Sequence, residues 1–226
     1  MADYSTIKGF TIQSLATDPY ATSIASGAWE SGGTMSTGRD GAAGFGNPAA
    51  TTAIVAGGYV TAPGAYTLDT ESYDGTSWTE THDMNTARST GGATGRGTTT
   101  DCLTFGGWQA PGTTRSALTE AFNGTSWTEV GDMGTARYYN GGAGTSTTSA
   151  ITFGGAVTDP PGANANTESY DGSSWSEVGD LNVGRRAGSA AGTSRSALYF
   201  CGYASPPGAL TEELDMATTV ETVAFD

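Results

Sequence analysis

The sequence predicts an all-β chain built from about four copies of one four-stranded unit, and three observations carry that reading. The stretch 119–137, TEAFNGTSWTEVGDMGTAR, recurs with small changes at 70–88 (TESYDGTSWTETHDMNTAR) and 167–185 (TESYDGSSWSEVGDLNVGR), and a degenerate copy, IASGAWESGGTMSTGR, runs over 24–39. Trp29, Trp78, Trp127 and Trp175 therefore lie 49, 49 and 48 residues apart, a period that marks stacked or radial copies of one small unit. Asp74-Gly75, Asn123-Gly124 and Asp171-Gly172 each stand between two short runs rich in Thr, Ser and aromatics. Such pairs accept the positive φ that tight hairpin turns require. Glycine makes up 35 of 226 residues and charged residues only 14%, which suits β-structure with many tight turns.

Residues 1–23 lie outside the repeat and are read as an N-terminal arm. Ile7, Phe10, Ile12 and Leu15 alternate in part, which predicts a strand near 7–15, and Asp18-Pro19 then turns the chain. An arm of this kind is tied down by its own domain or by a neighbouring chain, so these four residues are assigned to an assembly contact. The repeat fills 24–226. Residues 24–33 match only the last strand of a unit, and complete units follow at about 39–83, 88–132, 137–180 and 185–226. Each starts with a Gly/Ala-rich segment after an arginine. An apolar run ending in a glycine pair comes next: AIVAGGY at 53–59, CLTFGGW at 102–108, AITFGGA at 150–156 and, with a cysteine in the pair, ALYFCGY at 197–203. A TESY-type strand and a Trp-bearing strand complete the unit. The last unit has Thr219-Val220-Glu221-Thr222 where the others have tryptophan. Four units supply sixteen strands and residues 26–33 a seventeenth. Either that strand or the one near 219–225 closes the last unit, and Trp29 is favoured because it keeps the Trp and Met spacing. One edge strand is left over, and such edges are normally covered by another chain or by a loop, which predicts a homo-oligomer or insertion into a larger particle.

Four-stranded units of 40–50 residues with a glycine pair and spaced aromatics are the blade pattern of a β-propeller. The second glycine stands 15 residues before the aromatic of the next strand in three units, Gly58 to Tyr73, Gly107 to Phe122 and Gly155 to Tyr170. On these residues the chain resembles a kelch-repeat propeller, with two departures: four units are few, and the last has Cys201-Gly202 and no Trp. The arm STIKGFTIQSLATDP, followed by a unit of the form W-x-S-G-G-x-M-x-T-x-R, is similar to virion proteins of tailed bacteriophages, notably those of marine bacteria. That resemblance implies a structural component of the particle: a fibre, knob or decoration protein. Its partners would be other virion proteins, copies of itself and a host-surface glycan. The alternative from a different class is a soluble carbohydrate-binding module.

The recurring polar residues read as architecture. Arg39, Arg88, Arg137 and Arg185 could line an anion site, but a side chain needed in every unit serves the unit, and Glu71, Glu120, Glu168 and Glu212 are at hand as partners. Asp83, Asp132 and Asp180 read as turn or capping residues rather than as a metal site. Trp29, Trp78, Trp127 and Trp175 could stack on sugars, and packing between units is the simpler reading. Asn123-Gly124-Thr125 is a glycosylation triplet in form and a hairpin turn in context. His82, the single histidine, stands at a turn position. Without a Ser/His/Asp set, a Cys/His ligand set or a phosphate-binding loop in the sequence, neither an enzyme nor a cofactor is expected. Cys102 and Cys201 fall in units two apart, read as small buried hydrophobes, and are not expected to pair. The net charge, 9 − 23 = −14, argues against binding nucleic acid or an anionic membrane. No window is apolar enough for a membrane span, and MADYSTIKGF has no apolar signal core, so synthesis in a host cytoplasm and arrival in the virion by assembly are expected.

Recognition is expected where units differ, because scaffold positions repeat. The loops at 59–69, 108–118, 156–167 and 203–210 connect the same two strands of each unit and should gather on one face. Their candidate residues are Tyr59, Tyr66, Trp108, Gln109, Arg115, Asp159, Asn164, Asn166 and Tyr203.

Overall fold

The computed structural model describes residues 31–46, 51–95, 98–109, 114–158, 162–204 and 210–216. The chain divides into two units, Met1–Gly32 and Gly33–Asp226, and it is the second that is described below. Among the described residues the regular elements are all β-strands, numbered β1 to β22 in chain order. Ile7, Phe10, Ile12, Leu15, Trp29 and the strand expected near 219–225 lie outside the described residues.

Four antiparallel sheets follow the chain. The first runs β1 (Ala43–Gly46), β2 (Ala53–Ala56), β5 (Thr70–Tyr73), β6 (Trp78–Glu80). The second runs β8 (Gly92–Ala93), β9 (Cys102–Phe105), β12 (Thr119–Phe122), β13 (Trp127–Val130). The third runs β14 (Gly141–Ser146), β15 (Ser149–Phe153), β16 (Thr167–Tyr170), β17 (Trp175–Glu177). The fourth has β19 (Ser189–Gly192), β20 (Ser196–Phe200) and β22 (Thr211–Asp215). Seven shorter strands lie beside the glycine pairs: β3 (Tyr59–Val60), β4 (Ala65–Tyr66), β7 (Arg88–Ser89), β10 (Trp108–Gln109), β11 (Thr114–Arg115), β18 (Arg185–Arg186) and β21 (Tyr203–Ala204).

The hairpin turns differ in detail from the expected two-residue form. Tyr73 pairs with Trp78, so four residues, 74–77, make the loop. Asp74 Oδ1 accepts the N–H groups of Thr76 and Ser77, both at 2.8 Å, while Gly75 takes φ 99°. The side chain satisfies two backbone donors that a tighter turn would have to place in the ladder. Asn123 and Asp171 do the same in their units.

Period-two alternation sends each sheet's side chains to both neighbours. Cys102, Phe122 and Trp127 stand opposite one another in register and share a face, which packs on Phe45, Ile54, Ala56 and Met84 of the first unit. Leu103 and Phe105 point the other way, onto Met133, Ala150 and Tyr170. A third cluster joins Ala143, Ile151 and Phe153 to Ala197 and Tyr199. The core thus lies between successive sheets, and the tryptophans belong to it. Trp127 Nε1 donates to Thr70 Oγ1 at 3.1 Å and Trp175 Nε1 to Thr119 Oγ1 at 2.9 Å, each reaching back to the preceding unit. The first strands β1, β8, β14 and β19 touch in series. Small residues permit this: a Cβ on Gly142 would stand 2.7 Å from Ala93 N.

The glycine pairs join consecutive units. Gly58 N donates to Arg88 O, Gly107 N to Arg137 O and Gly155 N to Arg185 O, each at 2.8 Å. The first glycine of a pair is left-handed and pressed on the same carbonyl: Gly57 has φ 63°, and a Cβ there would lie 2.6 Å from Arg88 O. In the fourth unit this position is Cys201, at φ 61°. It is exposed, contrary to the buried hydrophobe expected. No bond of the Gly58–Arg88 kind is formed by Gly202 among the described residues, so a side chain has room. We expect Gly57→Ala to destabilise the fold by about 1–3 kcal/mol through left-handed strain and the carbonyl clash. Cys201→Gly should stabilise it by up to about 1 kcal/mol. Chemical denaturation of both variants tests this, and equal effects would remove the steric account.

Candidate functional site

The recurring ionisable residues are taken up by the scaffold. Arg88 Nη2 donates to Glu120 Oε1 at 2.9 Å and its Nη1 to Leu118 O at 2.8 Å. Glu120 Oε2 in turn accepts from Asn85 N at 2.7 Å, closing the loop that leads into Arg88. Arg39–Glu71, Arg137–Glu168 and Arg185–Glu212 repeat the pairing. Ser36 N, Gly134 N and Asn182 N supply the loop donors. Burial draws the Arg88 and Arg137 guanidinium groups below their usual pKa, and the paired glutamates oppose that shift. Asp83 and Asp180 accept from Thr70 N and Thr167 N, the capping role expected of them. Carboxylate oxygens of Asp69, Glu80 and Asp83 lie within 4.8 Å of one another, but the trio does not recur: Leu118 and Asn166 replace Asp69 in the next two units. His82 is exposed.

The divergent loops rise from equivalent bases. The residue after each glycine pair bridges the segment at the column arginine: Tyr59 with Asp40, Trp108 with Ser89, Ala156 with Tyr138 and Tyr203 with Arg186. One residue further on, a backbone ladder links the units. Thr90 N donates to Gly41 O at 2.6 Å, Tyr139 N to Thr90 O at 2.7 Å and Ala187 N to Tyr139 O at 2.8 Å. All four residues are left-handed, with φ of 59°, 57°, 56° and 54°. For Thr90 and Tyr139 that conformation is strained.

Aromatic rings collect around this ladder. Tyr59 and Tyr66 face each other across β3 and β4, with centroids 5.3 Å apart. Trp108 meets Tyr138 at 4.3 Å and Tyr138 meets Tyr139 at 4.8 Å. Burial, then the phenols of Tyr59 and Tyr139, raises the Tyr66 pKa above its usual value. Arg186 lies 4.1 Å from the ring centroid of Tyr203, which is 60% exposed, and Arg115 stands opposite Trp108. Thr90 Oγ1, Asn164 Nδ2 and Arg186 Nη1 are buried there without a hydrogen-bond partner among the described residues. Such a face offers ring surfaces for stacking.

The sequence candidates thus divide. Tyr59, Tyr66, Trp108, Gln109, Arg115 and Tyr203 lie on the loop strands. Asn164 and Asn166 also serve the scaffold, since Asn164 O accepts from Arg185 N and Asn166 O from Arg137 Nη1. Asp159 lies outside the described residues. Tyr138, Tyr139, Thr90 and Arg186 were missed, because the segment after each arginine reads as scaffold. Their signal was divergence: Asp40-Gly41, Ser89-Thr90, Tyr138-Tyr139 and Arg186-Ala187 share no residue type at either position.

At the opposite, hairpin end, the N–H groups of Ser174 and Ser173 hold the Asp171 carboxyl at about 2. Because the folded value lies below the ordinary 3.8, its contribution is fully present above pH 3.8 and is lost as pH falls through about 2. A carboxyl NMR titration midpoint near 3.8 would contradict this turn.

No family model matches the chain, and no curated protein is significantly similar to it in sequence.

Proposed function

We propose that the four sheets close as a kelch-like β-propeller and that the chain works without catalysis, as a structural component of a tailed-bacteriophage particle. Its loop face makes contacts with neighbouring virion proteins, with copies of itself or with a host-surface glycan. One observation carries the non-catalytic part of this reading. The recurring charged residues are tied up in Arg–Glu pairs inside each unit, while the units' differences lie on the loop face. The virion assignment rests on the resemblance of the arm and of W-x-S-G-G-x-M-x-T-x-R. Immunogold labelling and mass spectrometry of purified particles test it. Stoichiometric recovery with the particle is expected, and recovery only in the soluble lysate would defeat it.

The second reading, a soluble carbohydrate-binding module, is favoured by the rings of Tyr59, Tyr66, Trp108 and Tyr139. Aromatic faces suit the apolar C–H face of a sugar ring. A glycan array with the isolated chain separates the two. Saturable binding that Tyr139→Ala reduces at least tenfold supports the module, and a blank array leaves the virion reading alone.

A further inference from the structure

The contacts between successive sheets repeat one geometry, and the two end sheets each carry half of one more such contact. Toward a following unit the fourth sheet presents Leu198, in register with Ala191 and Glu213. The matching residues of the second and third units, Leu103 and Ile151, are fully buried, whereas Leu198 is 38% exposed. An open groove of about 520 Å³ runs there, lined by Ala191, Leu198 and Glu213 among others. Toward a preceding unit the first sheet presents Val55, in register with Gly44. Val55 is half-buried where its matches, Thr104 and Thr152, are buried. Gly44 matches Gly142, whose Cβ would stand 2.7 Å from Ala93 N of the preceding unit, yet a Cβ on Gly44 would meet nothing within 4 Å. The backbone ladder stops at the same two faces: among the described residues neither Gly41 N nor Ala187 O continues it. The indole bonds follow suit. Trp127 and Trp175 each donate to the first threonine of the preceding unit's TESY-type strand. The fourth unit's matching residue, Thr211, is exposed.

We propose that these two faces are a head-to-tail interface between copies of this chain, the fourth sheet of one copy stacking on the first sheet of a second. Leu198 of one copy packs on Val55 of the other, and Phe200 lies against Trp78 as Phe105 lies against Trp175. Trp78 Nε1 donates to Thr211 Oγ1, and Gly41 N donates to Ala187 O, which carries the ladder across. A second copy is the occupant because its first sheet is free to come up to Leu198, whereas the chain's own is clear of any neighbour at Gly44. Each copy has one face of each kind, so two copies can satisfy both and close. The ring then holds eight sheets, within the range of propellers. The proposal rests on the propeller reading, with closure made between copies, and is independent of the virion assignment.

The test uses the full chain and sedimentation velocity over a dilution series. Wild type should sediment with about twice the 22.8 kDa mass of the chain. Gly44→Arg blocks the first face and Leu198→Lys the fourth. Both positions are exposed, so each variant should keep the wild-type circular dichroism while its dimer dissociation constant rises at least tenfold. The two variants mixed in equal amounts should associate again. A mixed pair retains one contact with both faces intact, and neither variant alone retains any. A wild-type monomer, or a dimer indifferent to both substitutions, would overturn the proposal, as would variants that stay monomeric on mixing. A monomer whose melting temperature falls with both substitutions would place the contact within one chain, which removes the dimer and leaves the propeller reading standing.

Discussion

Replacing Arg137 with alanine is expected to destabilise the fold by about 3–5 kcal/mol, because it strands a buried carboxylate. Arg137 and Glu168 are both buried side chains, and the guanidinium also donates to Asn166 O at 2.6 Å and Gly154 O at 3.3 Å. Removing it takes the counter-charge from Glu168 and one donor each from Asn166 O and Gly154 O, at a point where the third unit's apolar strand, its TESY-type strand and the entering loop meet. Glu168→Gln should cost less, since an amide can still accept from Gly134 N and Thr135 N, which the carboxylate now serves. The losses should change little with salt, because a dry pair is poorly screened. Urea denaturation checks both variants. An Arg137→Ala protein whose midpoint matches wild type would show that the pair contributes nothing and that the arginine column needs another explanation.

Trp127→Ala should have an effect of the same size, about 3–5 kcal/mol, as for a buried large aromatic. Its ring is 6% exposed and packs on Phe122 at 5.0 Å and on Phe45 at 6.4 Å, so a cavity would open between two sheets at once. Trp127→Phe isolates the indole bond to Thr70 and should cost about 1 kcal/mol or somewhat more. Trp78→Ala is the control. That ring is only half-buried, so its loss should be clearly smaller. Equal losses at Trp78 and Trp127 would mean that intersheet packing is not what the tryptophan column supplies.

Much of the scaffold could be read before any coordinates. The 49-residue period gave each unit its strand order, and the Trp column its place between units. The Arg and Glu columns gave a pairing that all four units display. These features are legible because a repeated residue reports a requirement shared by every unit, and requirements shared by every unit are architectural. The turns were legible only in kind. Asp74-Gly75 announced a hairpin, but the four-residue form depends on Asp74 Oδ1 taking two N–H donors, a choice made by side-chain geometry. Cys201 was misread because its burial depends on the unit that follows, not on its own apolar strand.

What the sequence by itself determined is the unit: four strands and their order, as the first three sheets display them, the left-handed glycines and the residues each unit uses to hold itself together. Periodicity in a chain records which faces are apolar and where the backbone must turn. What only the tertiary structure decided is which side chains from different units meet. Tyr139 stands near Tyr66, Trp108 on Tyr138, and Arg186 over Tyr203. The first two meetings join residues from separate units and the last joins two paired strands of one. Their contacts are set by sheet twist and by the close approach of β1, β8, β14 and β19. These are properties of packing between elements, which no local pattern of residues encodes.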